Sequence, residues 1–171
     1  MVKAIALLVL LGLALHSGWC IAQQCRSSDT EATDERFQPL PGGQIVDQQS
    51  HLVWMRCSVG QRWDSSKNTC TGEALLLTWF QANELLSKPE YKAHRWRLPG
   101  IYELSSITEL NCYDPAIKLQ HFPHTPASHY WTATAFANKA GYYWLVQFLN
   151  GENHTDRDRR LAFVRMVKPL P

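Results

Sequence analysis

Sulfur, taken together with the start of the chain, constrains this sequence more than any other feature. Lys3 supplies a positive charge, and Ala4 to Leu15 is an apolar run broken only by Gly12. The run is too short to span a bilayer comfortably, and small residues follow it. That is the pattern of an export signal over residues 1–22, with Cys20 and Ala22 at the small-residue positions before the cut. Trp19 precedes Cys20 and Gln24 precedes Cys25, so neither cysteine follows the small residue that lipid modification requires. A soluble exported protein is expected. Of five cysteines, Cys20 leaves with the signal, and Cys25, Cys57, Cys70 and Cys112 remain. An even number in an oxidising compartment reads as disulfides.

Four cysteines permit three pairings, and the sequence does not choose among them. The most local pairing joins Cys57 to Cys70 and would staple the polar loop between them. Cys25 with Cys112 would then tie the mature N-terminus to the middle of the domain. The spacings match no zinc pattern and no CxxC occurs, so no metal or cofactor is expected. Charge adds little: Lys plus Arg is 17 against 15 for Asp plus Glu. That balance gives no reason to expect a nucleic-acid partner. No later stretch is long and apolar enough to serve as a transmembrane anchor. Tryptophan is abundant, seven in all, and large rings of this kind serve mainly to fill a core.

The second constraint is a corner at Arg95-Trp96-Arg97-Leu98-Pro99-Gly100-Ile101-Tyr102-Glu103-Leu104. Pro99 keeps Leu98 out of the α region. Beyond Gly100, Ile101, Leu104 and Ile107 recur at helical spacing. A short strand ending at Leu98, a tight turn, and a helix over 101–110 are expected. Trp96 and Leu98 would share one side of that strand. Trp54, Trp79, Trp96, Leu98, Pro99 and Trp131 are the expected structural core.

Residues 23–36 read as a flexible leader and 37–43 as loop and turn. Gln44–Asp47 and His51–Cys57 read as a hairpin. Val53 and Met55 would face the core, with Trp54 over a second layer. Residues 58–72 read as a polar loop, and 73–86 as the clearest helix, capped by Thr71 and stopped before Pro89. Prolines make 111–128 irregular. His121, His124 and His129 near it are expected as exposed loop histidines. Residues 130–134 and 141–149 read as strands, with Asn150-Gly151 as a turn. In the second, Tyr143, Leu145, Gln147 and Leu149 lie on one face and Tyr142, Trp144, Val146 and Phe148 on the other. Residues 153–160 read as a charged loop and 161–168 as the closing strand. Asn153-His154-Thr155 is a glycosylation triplet, relevant only in a host that glycosylates secreted chains.

Taken in order, several pieces resemble one known family. They are Gly42-Gly43, Val46-Asp47, Leu52-Val53-Trp54-Met55-Arg56-Cys57, Gly60-Gln61-Arg62-Trp63 and Cys70-Thr71-Gly72. They continue with Trp79 and Ala82, Trp96-Arg97-Leu98-Pro99 with Glu103-Leu104, and Phe122-Pro123. Trp131-Thr132-Ala133-Thr134, Trp144 with Phe148 and Gly151, and Val164-Arg165-Met166-Val167 complete the set. This order resembles the Lcl C-terminal domain family of exported bacterial proteins, over roughly 37–168. The resemblance implies an α+β, C-type-lectin-like fold, with two short helices packed on twisted antiparallel strands. It also implies a bacterial host, hence a periplasmic or secreted location. The family's namesake is an adhesin whose domain is associated with sulfated polysaccharide, an activity that fold alone does not transfer.

For function, the expectation is a non-catalytic binding or adhesion module of the cell envelope, its partner an anionic glycan or an envelope protein. Arg157, Arg159 and Arg160, with His154 and Trp144 nearby, are the expected ligand contacts. Guanidinium groups suit sulfate or carboxylate, often through two parallel hydrogen bonds. No run of residues supplies a lectin-type calcium site. Two alternatives stand beside this: a structural or accessory subunit of a pilus or secretion assembly, and an enzyme of the sulfatase-modifying type. The enzyme would need reactive cysteines, which disulfides would consume. No nucleophile elbow or phosphate-cradling loop occurs.

Overall fold

The computed structural model describes residues 23–26 and 35–171. The expected export segment, and most of the expected leader, lie outside the described residues. The elements run β1 (Gln24–Cys25), β2 (Phe37–Leu40), β3 (Gln44–Asp47), β4 (Leu52–Met55), β5 (Arg62–Asp64), β6 (Thr69–Thr71), α1 (Trp79–Leu86), α2 (Pro89–Lys92) and α3 (Ile101–Ser105). They continue with β7 (Cys112–Tyr113), β8 (His129–Ala135), β9 (Tyr142–Gln147), β10 (Glu152–Arg157) and β11 (Val167–Pro169). One sheet has the order β11-β4-β3-β2 and another β10-β9-β8, with two small ribbons, β1-β7 and β5-β6. Strand pairing is antiparallel in all four sheets, and the helices are short, so the class is α+β.

Both larger sheets bury both faces. Ile45, Trp54, Tyr130 and Val146 enter one apolar cluster, while their neighbours Val46, Val53, Trp131 and Leu145 enter a second. Alternation along each strand sends successive side chains to opposite sides. Trp54 therefore sits wholly buried in the first cluster, and Val53 and half-buried Met55 pack in the second. Trp96 and Leu98 also enter the second, and Pro99 is buried beside them.

The corner is tied by charge as well as by packing. Arg97 exchanges both backbone hydrogen bonds with Val167, at 2.9 and 3.0 Å, as a single bridge where a short strand is expected. Its guanidinium donates twice to the Glu103 carboxylate, each bond 2.7 Å. The Gly100 N–H donates to the same carboxylate at 2.6 Å, closing the first turn of α3. That helix stops at Ser105, well short of 110. The Ser106 hydroxyl donates to the Glu103 carbonyl and the Thr108 hydroxyl to the Ser105 carbonyl, both at 2.8 Å. Such local bonds compete with a further helical turn.

Tertiary partners alter other expectations. The helix expected over 73–86 begins only at Trp79, because Leu75 and Leu77 pair as extended chain with Val59 and Ala162. Its cap is Thr78, not Thr71: the Thr78 hydroxyl accepts from the Gln81 N–H, and the Gln81 side chain accepts from the Thr78 N–H. Pro89 opens α2, a third helix among the described residues, at the first helical position, where its missing N–H is harmless. Residues 37–40 form an edge strand instead of loop, and the edge tolerates Pro39. The charged segment expected as loop over 153–160 is largely strand, β10. The expected closing strand over 161–168 is broken: Ala162 and Phe163 make single bridges, and β11 begins at Val167.

Two buried guanidiniums organise the proline-rich stretch. Arg165, fully buried, donates to the carbonyls of Met55 (2.9 Å) and Arg56 and to the Thr125 hydroxyl (2.7 Å). Its guanidinium lies 4.9 Å from the Phe122 ring centre. Arg56 donates to the carbonyls of His121 (2.8 Å) and Gln120 (2.9 Å) and lies over Trp63. Cations taken out of water need such partners. His121, expected exposed, is buried against Phe37, and His129 is half-buried, while His124 is exposed. Disulfides join Cys57 to Cys70 and Cys25 to Cys112; the second links register partners of β1 and β7.

Candidate functional site

Strand register divides the residues that the sequence groups together. Arg157 lies opposite Tyr142 and Thr155 opposite Trp144, so Tyr142, Trp144 and Arg157 share a face of the β8–β10 sheet. His154 lies opposite Leu145 and Asp156 opposite Tyr143, on the other face. Arg160 turns to that other side: it donates to the Asp156 carboxylate and, at 3.2 Å, meets His129 Nδ1. A guanidinium only donates, so Nδ1 accepts and the ring is neutral. Burial, then the charges of Arg160 and His154, hold the His129 pKa below its ordinary value against an opposing pull from Asp156. His154 meets Gln147 Oε1 at 3.1 Å and Glu152 at 3.5 Å. Arg160 and His154 are thus engaged within the sheet.

The first face carries a different constellation. Arg157 Nε donates to the Tyr142 hydroxyl at 3.0 Å, and its guanidinium lies 5.8 Å from that ring's centre. Lys139 Nζ lies 4.0 Å from the same centre. Hydrogen bonding from Lys139, then from Arg157, draws the Tyr142 hydroxyl pKa below its ordinary value. Hydrogen bonding to Tyr142 in turn raises that of Arg157, and its acidic neighbours Asp156 and Asp158 add to this. Half-buried Trp144 meets Phe136 edge-on at 5.5 Å. Arg159 is exposed in the turn that follows β10, which closes with a bond from the Arg160 N–H to the Arg157 carbonyl.

Short turns hold these groups in place. The Phe136 N–H bonds to the Tyr142 carbonyl, bringing Lys139 back over the Tyr142 ring. The Asp158 N–H bonds to Gly141, and the Asp158 carbonyl accepts from the Trp79 N–H at the start of α1, both at 2.9 Å. Behind them, Trp79 stacks on Tyr143 at 3.8 Å and donates its indole N–H to Thr132. Trp131 is wholly buried and bonds to the Leu77 carbonyl. Sequence reasoning omits Tyr142 and Lys139 from the contact set. Alternation along 141–149 already places Tyr142 beside Trp144, but Lys139 arrives only through the 136–142 turn. Chemically the face offers two cations, a phenol and an indole without a carboxylate ion pair to either Lys139 or Arg157 among the described residues.

Among the described residues, no helix is long and apolar enough to cross a membrane. No curated protein matches the chain. The profile of the Lcl C-terminal domain matches residues 43–168, a span that takes in the corner, the β8–β10 sheet, the other larger sheet apart from its edge strand β2 and the end of β11, and the cationic face. The chain belongs to the Lcl C-terminal domain family.

Proposed function

We propose that this chain is a non-catalytic binding module, exported by a bacterium to its periplasm or surroundings, that holds an anionic glycan of the cell envelope. The frame is C-type-lectin-like in this reading, and the contact face is Lys139, Tyr142, Trp144 and Arg157, with Arg159 at its rim. One observation carries it: Lys139 and Arg157 converge on a single tyrosine, neither held in a carboxylate ion pair among the described residues, beside a half-buried indole. Sulfate or carboxylate would gain charge-assisted hydrogen bonds from both cations. The aromatic edge would take the apolar side of a sugar ring.

Retention on immobilised heparin tests the reading. The variant carrying Lys139→Ala, Arg157→Ala and Arg159→Ala should elute at lower salt than the parent, whereas Arg160→Ala should elute with it. Equal elution of the triple variant would reject this face.

A second reading, an accessory subunit of an envelope assembly, has one observation in its favour. Leu76, Phe80 and Leu161 are each at least half exposed where the 75–78 segment meets 161–163, an apolar surface suited to a protein. A sulfatase-modifying-type activity has less support, since all four cysteines among the described residues are bonded in pairs.

A further inference from the structure

Away from that face, a cleft of about 370 Å³ opens between the 72–74 loop and the 124–126 loop. Its volume falls within the range of small-ligand sites. Its walls are already locked. The Leu75 N–H bonds to Val59 at 2.8 Å, the Gln61 side chain bonds to the His124 carbonyl at 3.0 Å, and the Cys57–Cys70 disulfide lies behind. His124 holds a left-handed φ of 51°, a conformation unusual for a residue with a side chain. Strained backbone of this sort gathers at ligand sites.

The lining chemistry is specific. His124 Nδ1 lies 2.6 Å from the Cys70 carbonyl, which can only accept. Nδ1 therefore carries a proton, and in the neutral ring Nε2 has a lone pair to offer. The Glu73 carboxylate adds a second acceptor, and Phe163 with Pro126 an apolar wall. At the inner end, Thr125 accepts from fully buried Arg165. The charge at that end is positive and the charge at Glu73 negative. A cation is disfavoured by the first and an anion by the second.

We infer that this cleft is a second binding site, for an uncharged hydroxyl-bearing sugar ring. The ring would lay its C–H face on Phe163 and donate hydroxyl protons to His124 Nε2 and Glu73. The inference is independent of the anionic-glycan reading.

The test is an amide NMR titration of the full chain with the neutral disaccharide cellobiose, alongside glucuronate and glucosamine as charged counterparts. Saturable shifts are expected at Gly72, Glu73, Ala74 and Thr125, with millimolar affinity for cellobiose and weaker binding of both charged sugars. Glu73→Ala and His124→Gly should each weaken cellobiose about tenfold. Glycine accepts the left-handed φ at 124, so a loss there reports the ring and not the backbone. Absence of saturable shifts in these amides would overturn the inference, as would tighter binding of either charged sugar or unchanged affinity in both variants. Shifts confined to Tyr142 and Arg157 would overturn it too, while leaving the other face's reading intact.

Discussion

Two carboxylates show how single residues set the stability of this molecule. Asp47 is wholly buried; burial raises its pKa, but hydrogen bonds from Arg36, Ser50 and the Gln49 amide, with the Arg36 charge, outweigh that and leave it lowered. Glu103 is lowered by its hydrogen bonds from Arg97, against partial burial, with help from the Gly100 amide. When such groups are depressed on folding, the unfolded chain binds protons first on acidification. Their contribution is complete above the unfolded value of about 4 and disappears as pH falls through the folded one. Denaturant unfolding between neutral pH and pH 3 should show that loss, and Asp47→Asn should flatten it while lowering stability at neutral pH. An acid limb unchanged in Asp47→Asn would contradict the assignment. Arg165 is the other decisive residue. Arg165→Ala strands the Met55 and Arg56 carbonyls and opens a hole, so a loss of about 3–5 kcal/mol is expected in the same assay. In the sequence, Arg165 reads as one more position in a closing strand, and nothing there shows that it is buried.

At the level of elements, the sequence is informative where structure is local. Period-two alternation over 141–149 separates the two faces of β9 as they occur, because one strand carries that signal unaided. The Trp96–Glu103 corner is likewise legible from Pro99, Gly100 and the helical restart after them. Residues 73–78 fail for the opposite reason: their helical spacing loses to backbone partners at Val59 and Ala162, distant in sequence. The cap moves with them, and Thr78→Ala should cost about 1 kcal/mol in chemical denaturation while Thr71→Ala costs little. The turn before β3 makes a sharper demand. A Cβ on Gly43 would lie 2.5 Å from the Trp63 Cβ, and φ there is 70°. Gly43→Ala should therefore destabilise by about 1–3 kcal/mol.

Across the whole molecule, the count of cysteines conveys that the chain is stapled, while the pairing follows only from the fold. Serine at both Cys57 and Cys70 should lower stability by about 3 kcal/mol on the chain-entropy account, seen as a lower melting temperature. The proposed face is only partly legible in the sequence. Loop charge draws attention to 153–160, but register decides which cations share a face, and register lies between strands. His154 falls on the far side for that reason, Arg160 follows through its bond to Asp156, and Lys139 enters through the 136–142 turn. The most direct measurement is an NMR titration of the Tyr142 ring across alkaline pH, with and without a sulfated oligosaccharide. Cations bound to sulfate no longer favour the phenolate, so the Tyr142 pKa, low in the free protein, should rise on binding. A Tyr142 titration that the sulfated ligand leaves unmoved, while the ligand is demonstrably bound, would contradict the cationic face as its site.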